Sequence, residues 1–200
     1  MKKIMATTAA VAALVLLAAG TASAAQFIVN GSFESPYESG SYGLPTSILG
    51  WTAVGSYPIE VGAATLYGIA GYDGLQVMEL DSTGNADVEQ IVATSAGTYQ
   101  LSFLYAQRLG TSVSSCTFDL SWNGNVVHLS PTSTTMALYS ATVTAVGGNN
   151  YLHFIGTGTQ DSLGALIDKV ELNSVTDGGL TAMLLGLGLL GLGSVRRMIK

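Results

Sequence analysis

The stretch Gln26-Phe27-Ile28-Val29-Asn30-Gly31-Ser32-Phe33-Glu34-Ser35 decides how the chain is organised. Its apolar residues run into an Asn-Gly pair that accepts positive φ readily, so it predicts a strand at 26–30 that closes in a turn. Glu34 follows an aromatic residue beside that turn. We therefore expect the first strand of a β domain, with a carboxylate next to the turn that ends it.

A second carboxylate stands near the far end of the domain, in the predicted last strand at 163–172. The two-residue period of a strand places Asp168 on one face with Leu166, Val170 and Leu172. A buried carboxylate is costly unless it is compensated, so Asp168 needs a cation, a set of N–H donors or a bulge that turns it outward. A calcium ion shared with Glu34 would satisfy both acids, whereas N–H donors or a bulge would satisfy Asp168 without metal.

The sequence between the two ends has no helical period and predicts eleven short strands separated by Gly, Ser, Asn and Pro. This pattern is typical of an all-β sandwich or jelly roll. Residues 36–48 and 67–74 are predicted as long loops, which often carry binding functions. The predicted strands are 26–30, 48–54, 57–62, 75–81, 86–93, 98–106, 115–122, 125–129, 136–145, 149–156 and 163–172.

Local patterns identify core positions and one hairpin. The alternation in 98–105 predicts one buried aromatic and apolar face, made of Tyr99, Leu101, Phe103 and Tyr105. Asn123-Gly124 supplies both positive-φ positions of a type I′ turn, so it predicts a hairpin that joins 115–122 to 125–129. We also expect core positions for Trp51, Trp122 and Cys116, the single cysteine.

Several short motifs resemble the galactose-binding-type jelly rolls of carbohydrate-binding modules and bacterial choice-of-anchor surface proteins. They are Asn30-Gly31-Ser32-Phe33-Glu34, Gly50-Trp51-Thr52, 73–81, 97–103 and Ile167-Asp168-Lys169-Val170, and they span roughly residues 26–174. The resemblance implies a jelly-roll fold of galactose-binding-like type. It also implies a structural calcium at Glu34 and Asp168. Backbone carbonyls of the Gly-containing turn are suitable further oxygen ligands, and we expect them to come from Gly31 or Ser32.

The N-terminal end has the features of an export signal. Lys2 and Lys3 precede an apolar run from Ile4 to Ala19, and Ala22-Ser23-Ala24 offers a signal peptidase site. We predict a signal peptide at 1–24, the alternative being a membrane anchor.

The C-terminal end, 175–200, resembles the sorting signals read by exosortases, the PEP-CTERM class and its Val-Pro-Asp-Ser-Gly variant. A short motif at 175–179, in which Thr176 replaces proline and Gly178 replaces serine, precedes sixteen uncharged residues at 180–195 and then Arg196, Arg197 and Lys200. This span would be a short transmembrane helix with a cytoplasmic basic end. We predict transient anchoring in the inner membrane of a bacterium before cleavage, the alternative being a permanent single-pass anchor.

The remaining domain, 25–174, is strongly acidic. It keeps two of the seven basic residues and twelve of the thirteen acidic ones, which gives a net charge of −10. Such a surface repels phosphate backbones, so we expect no nucleic-acid partner.

The predicted loops supply the candidate ligand-binding residues. Aromatic rings are common platforms for sugars, and Tyr37, Tyr42, Tyr67 and Tyr72 all lie in predicted loops. Arg108 follows a predicted strand and would bind a sugar hydroxyl or carboxylate, or pair with a local acid.

Catalytic candidates are few. Glu79 with Asp81, and Asp87 with Glu89, have the spacing to share a strand face, but a solvated acidic strand edge explains both pairs. His128 and His153 lie in predicted strands and are not in a metal-ligand spacing.

The sequence thus predicts an exported protein of the cell surface or extracellular matrix. Its expected role is noncatalytic binding of extracellular polysaccharide, or incorporation into it. The alternatives are an enzyme acting on glycans and a structural surface protein that assembles with its own copies.

Overall fold

The computed structural model describes residues 26–175, which form two antiparallel six-stranded sheets packed face to face. Sheet A has the order β1-β4-β5-β12-β7-β10, and sheet B has the order β2-β3-β6-β11-β8-β9. The all-β sandwich predicted from the sequence is confirmed. The strands are β1 Tyr42–Gly43, β2 Ser47–Ile48, β3 Trp51–Ala53, β4 Glu60–Ala63, β5 Gln76–Glu79, β6 Asp87–Thr94, β7 Gly97–Gln107, β8 Phe118–Trp122, β9 Asn125–Leu129, β10 Ala137–Ala145, β11 Gly148–Gly156 and β12 Ala165–Ser174.

The main core lies between the sheets and contains most of the positions predicted for it. Tyr99, Leu101 and Phe103 alternate into it from β7, while Tyr105 packs against it half-buried. Trp51, Trp122 and Cys116 are also buried there, as predicted. The alternation of apolar and polar residues along β7 therefore predicts the buried side chains correctly, because one face of this strand packs on the opposite sheet.

A second apolar cluster covers the outer face of sheet A. Val77 and Leu166 belong to it, whereas their chain neighbours Met78 and Ile167 point into the main core. Residues 64–75, which we call the cover loop, pack over this outer face and begin with a single 3-10 turn at Ala64–Leu66. The predicted loop at 67–74 is thus a packed cover over the sheet.

The predicted first strand at 26–30 is wrong. Gln26 makes only an isolated bridge to Asn173, and the N–H and C=O groups of Val29 bond to the side chain of Gln90. A glutamine amide thus takes the place of a neighbouring strand. The predicted turn does form, since Asn30 has φ 51° and its carbonyl accepts a hydrogen bond from the Phe33 N–H.

Other predicted elements have different boundaries. The predicted strand 48–54 is interrupted at Gly50, which has φ 82°, and becomes the hairpin of β2 and β3. The predicted loop 36–48 contains β1 and β2. The predicted strand 115–122 starts only at Phe118, after a 3-10 turn at Val113–Ser115. The Asn123-Gly124 hairpin is confirmed, with φ 50° and 80° at its two turn residues and Trp122 opposite Asn125.

A bulge in β12 corrects the predicted face of Asp168. The pairing with β7 shifts register between Asp168 and Glu171, and Lys169 has φ 47°. Asp168 therefore lies with Leu166 on the outer face of sheet A, while Val170 and Leu172 turn into the main core.

The predicted signal peptide (1–24) and nearly all of the predicted sorting segment (175–200) lie outside the described residues. Within residues 26–175 there is no helix of sufficient length and apolar character to cross a membrane.

Candidate functional site

A cavity of about 470 Å³ lies beside the cover loop. Its wall combines apolar and aromatic side chains from β1, the residue after it and the cover loop with polar groups from β4 and from the segments that follow β5, follow β7 and precede β12. The lining residues are Tyr42, Leu44, Glu60, Leu66, Tyr67, Ser82, Thr83, Arg108 and Ser162.

The polar wall rests on a buried network that we call the Glu79 cluster: Glu60, Glu79, Arg108 and Tyr67. The pairing of β4 with β5 puts Glu60 opposite Glu79. Arg108 Nη1 donates to Glu79 Oε2 at 2.6 Å, and the Gly164 N–H donates to Glu79 Oε1 at 2.6 Å. The Tyr67 hydroxyl donates to Glu60 Oε1 at 3.1 Å, and the Arg108 guanidinium lies 5.1 Å from the centre of the Tyr67 ring.

Burial controls the protonation of this cluster. It raises the pKa of Glu79 to about 8, although the hydrogen bond from Arg108 opposes that rise. Burial also raises the pKa of Glu60, and a hydrogen bond with Glu79 partly opposes it. Two adjacent buried carboxyls do not both ionise easily, so near neutral pH the pair holds one proton and Arg108 balances the remaining charge.

The structure brings three of the five predicted ligand-binding residues to this cavity, namely Tyr42, Tyr67 and Arg108. Tyr42 is 55% exposed, but Tyr67 is only 3% exposed and is covered by Arg108, so the prediction of Tyr67 as an open sugar platform is wrong. Tyr37 is exposed outside the cavity. Tyr72 packs against the second apolar cluster.

Sequence reasoning missed Glu60, the carboxylate that lines the cavity. Its signal was a glutamate between Ile59 and Val61, both of which are fully buried. A glutamate within an apolar strand needs a partner that compensates the cost of burying its carboxyl. Only the register of β4 on β5 identifies that partner as Glu79.

The predicted acid pairs occupy different environments. Glu79 and Asp81 are buried, so their interpretation as a solvated strand edge is wrong. Asp81 Oδ2 accepts the Asp161 and Leu163 N–H groups, while its Oδ1 has no partner within residues 26–175.

Asp87 and Glu89 lie on sheet B, where they contact the two ring nitrogens of His153 at 2.9 and 3.0 Å. The other histidine, His128, is exposed and contacts Asp119 at 2.8 Å across the β8–β9 hairpin. Both histidines are strand residues, as their sequence positions predict, and the structure adds that each is paired with an acid.

The predicted metal residues meet at the other end of the cover loop. Asp168 is fully buried, and its two oxygens accept the Asp73 and Lys169 N–H groups at 2.6 Å each. Burial raises the pKa of Asp168 to about 7, and nearby Asp73 and Glu34 add to the rise. We call Asp168, Asp73 and Glu34 the Asp168 cluster; Asp73 is a member that sequence analysis missed.

The other predicted metal donors are engaged in protein contacts. The Gly31 carbonyl accepts the Val170 N–H, and Ser32 Oγ donates to Asp73 Oδ2. Glu34 Oε1 accepts the N–H groups of Leu75 and Gln76. Within residues 26–175, no three His, Cys, Asp or Glu side chains are placed to hold a metal ion together.

No family model matches the chain. Two curated relatives are the multifunctional-autoprocessing repeats-in-toxin proteins of Vibrio cholerae serotype O1 and Vibrio vulnificus, with 32% identity over 156 residues and 31% over 157. Each alignment covers 76% of this chain but 3% of the relative, so the chain spans a small fraction of those proteins.

Among solved structures, the chain is similar to family 35 carbohydrate-binding modules. The module from Clostridium thermocellum has 20% identity and a TM-score of 0.42, and the alignment covers 68% of this chain and 99% of that one. The module from Paenibacillus barcinonensis has 21% identity and a TM-score of 0.42, with coverages of 68% and 100%. A Podospora anserina mannanase that carries such a module has 16% identity and a TM-score of 0.43, with coverages of 68% and 28%.

Proposed function

We propose that this domain binds extracellular polysaccharide without catalysing a reaction. The observation that carries the proposal is the cavity in which an exposed Tyr42 stands near Glu60, Ser82, Thr83 and Arg108. Its volume of about 470 Å³ is in the range of small-molecule sites, which are roughly 300–1,000 Å³. A sugar ring has an apolar face for Tyr42 and hydroxyl groups for the polar wall.

The charge of the cavity supports a neutral sugar ligand. The Glu60–Glu79 pair holds one proton, and Arg108 balances its single negative charge. The walls therefore offer hydrogen-bond donors and acceptors with little net charge, while the strongly acidic domain disfavours nucleic acid and polyanionic glycans.

The arrangement of the carboxyls argues against glycoside hydrolysis. That reaction uses two carboxyls on either side of the bond, roughly 5–9.5 Å apart. Here Glu60 and Glu79 interact directly with each other, and Glu79 is enclosed by Arg108 and the Gly164 N–H. Glu79 therefore has no access to a substrate in the cavity.

The test compares two tyrosines of similar exposure. Tyr42 lines the cavity and is 55% exposed, whereas Tyr37 is 59% exposed outside it. In affinity electrophoresis against neutral mannans, galactans and glucans, Tyr42→Ala should weaken binding about tenfold, because an aromatic contact contributes about 1.4 kcal/mol. Tyr37→Ala should bind as the parent does.

Equal binding by both variants, or no retention by any of these polysaccharides, would refute the site. Release of reducing ends by the parent chain that Glu60→Gln abolishes would instead establish the enzyme alternative.

The finer fold assignment, a galactose-binding-like jelly roll, belongs to the same proposal, and the motifs at 30–34 and 167–170 support it.

A bound calcium ion is also a proposal. Carboxylate oxygens suit a hard cation, but Glu34, Asp73 and Asp168 are not placed to hold one by themselves, and backbone N–H groups already satisfy Asp168. A calcium ion would have to add backbone or water oxygens to these carboxylates.

Export to the cell surface or extracellular matrix, removal of 1–24 by signal peptidase and exosortase processing at 175–200 complete the proposal. The charge and hydropathy pattern of the two ends supports it. Intact-mass measurement on material from the native host should show a start near Ala25 and loss of the segment after about Gly179. Mature surface protein that retains 196–200 would contradict the sorting step.

A further inference from the structure

One flank of the domain carries almost no charge, the exception being Asp119, which is paired with His128 across the β8–β9 hairpin. No Asp, Glu, Lys or Arg occurs in residues 90–107 or 120–160, although the domain has a net charge of −10. These two segments, which we call the uncharged flank, contain the whole of β7, β9, β10 and β11. Apart from tyrosines, its titratable side chains are His128 and His153.

The uncharged flank includes one open edge of each sheet. β10 ends sheet A and β9 ends sheet B, and a groove of about 280 Å³ separates them. Its walls are largely apolar and aromatic. They include Leu120, Trp122, Val127, Tyr139 and Val143.

β10 has no feature that would prevent pairing with another strand. Proteins usually protect an open edge with charges, proline, a bulge or a very short strand. β10 is nine residues long and contains no charge, proline or glycine, and it pairs with β7 without a register shift. On the opposite edges, β1 and β2 have two residues each and are protected by their shortness.

The backbone of β10 is available on its open side. Within the described residues, one hydrogen bond reaches it from outside sheet A, from the Trp122 indole to the Thr144 carbonyl at 2.8 Å. That carbonyl therefore points away from β7. Since backbone groups alternate along a strand, those of Leu138, Ser140 and Thr142 also point to the open side.

We infer that two copies of this chain pair through β10, antiparallel, about a two-fold axis near Ser140. Sheet A then continues into sheet A of the second copy, and Leu138 of each copy lies opposite Thr142 of the other. This register leaves the Thr144 carbonyl with its Trp122 partner.

The distribution of charge selects a second copy as the occupant. Two domains of net charge −10 repel each other unless they meet where neither carries charge, and the uncharged flank meets that condition. A basic partner would find no counter-charge along β10. The contact is self-complementary, as a two-fold interface must be. It also leaves the cavity free, because Tyr42 lies on β1 at the opposite edge of sheet A.

The test is cysteine cross-linking in the full chain in its native membrane or surface fraction. A residue near the two-fold axis faces its own copy, so Ser140→Cys should give a disulfide-linked dimer on mild oxidation, seen as a doubled mass on a non-reducing gel. Ser47→Cys, an exposed position on the opposite edge, is the matched control and should remain monomeric. Cys116 is buried, so its lack of reaction with a thiol reagent reports that each variant is folded.

A second substitution separates specific pairing from random collision. Thr142→Lys in the Ser140→Cys chain places two like charges in the contact and should reduce the dimer band at least tenfold, whereas Ser47→Lys in the same chain should leave it unchanged. Ser140→Cys that stays monomeric, or that cross-links no better than Ser47→Cys with Cys116 protected, would overturn the inference. So would a dimer band that persists with Thr142→Lys.

Discussion

The Glu79 cluster and the Asp168 cluster both place a fully buried carboxyl on the outer face of sheet A, under the cover loop. In the Glu79 cluster the compensating groups are the Arg108 side chain, a second carboxyl and one backbone N–H. In the Asp168 cluster they are two backbone N–H groups, one of them at a bulge. Side chains at the edge of a cavity can exchange partners with a ligand, whereas backbone donors hold the fold in place. The comparison supports the proposed binding site beside the first cluster and indicates a structural role for the second.

The largest expected effect is a fall in stability with rising pH, to which both clusters contribute. Burial raises the folded-state pKa of Glu79 from 4.5 to about 8 and that of Asp168 from 3.8 to about 7. At a pH between the ordinary pKa and the raised pKa of each carboxyl, the folded chain binds more protons than the unfolded chain. The free energy of unfolding should therefore decline from about pH 4 to pH 8, by at most about 1.4 kcal/mol per pH unit for each group.

Two substitutions separate the clusters within this profile. Asp168→Asn should remove the part of the decline in unfolding free energy that ends near pH 7. Glu79→Gln should remove the part that extends to about pH 8. Urea unfolding at a series of pH values, followed by the fluorescence of buried Trp51 and Trp122, measures both. Glu171→Gln is the control, because Glu171 belongs to neither cluster. A free energy of unfolding that rises between pH 4 and pH 8 would contradict this account, because it would show that Glu79 and Asp168 ionise in the folded chain without penalty.

Removal of the Arg108 guanidinium should have the next largest effect on stability. Arg108→Met leaves the single charge of the Glu60–Glu79 pair without its partner, so the free energy of unfolding at pH 7 should fall by about 3 kcal/mol. Arg108→Lys keeps the charge and should lose less. The double substitution Arg108→Met with Glu60→Gln should recover part of the loss, because Glu79, with its pKa raised to about 8, is protonated at pH 7 and no buried charge then lacks a partner. A loss below about 1 kcal/mol in Arg108→Met would contradict this account.

Asp168→Asn should have the smallest effect, a loss of about 2 kcal/mol at pH 7. The amide keeps one oxygen acceptor but turns an NH2 group toward a backbone N–H that then lacks a partner.

Thermal melts with calcium or chelator test the metal proposal on the same variant. Calcium at about a hundred times its dissociation constant adds roughly 2.7 kcal/mol, so it should raise the melting temperature of the parent and have little effect on Asp168→Asn. A parent melt that is unchanged by chelator, after removal of any bound metal, would exclude calcium.

Local patterns determined much of the sandwich. The alternation of Tyr99, Leu101 and Phe103 requires only that neighbouring side chains of a strand point to opposite faces. The Asn123-Gly124 turn requires only that two adjacent residues accept positive φ. Both predictions are correct because their physical causes lie within a few residues of sequence.

Tertiary contacts decided the candidate site. Gln90 replaces a strand partner for Val29 from 61 residues away, and the bulge at Lys169 moves Asp168 to the outer face while Val170 turns inward. The pairing of Glu60 with Glu79 follows from strand register, which one residue of slip would change. The sequence by itself determined that this chain forms a strongly acidic β-sandwich with buried aromatic strands. Only the tertiary structure decided which acids are buried and what compensates them, because that free energy depends on groups brought together across the sheets.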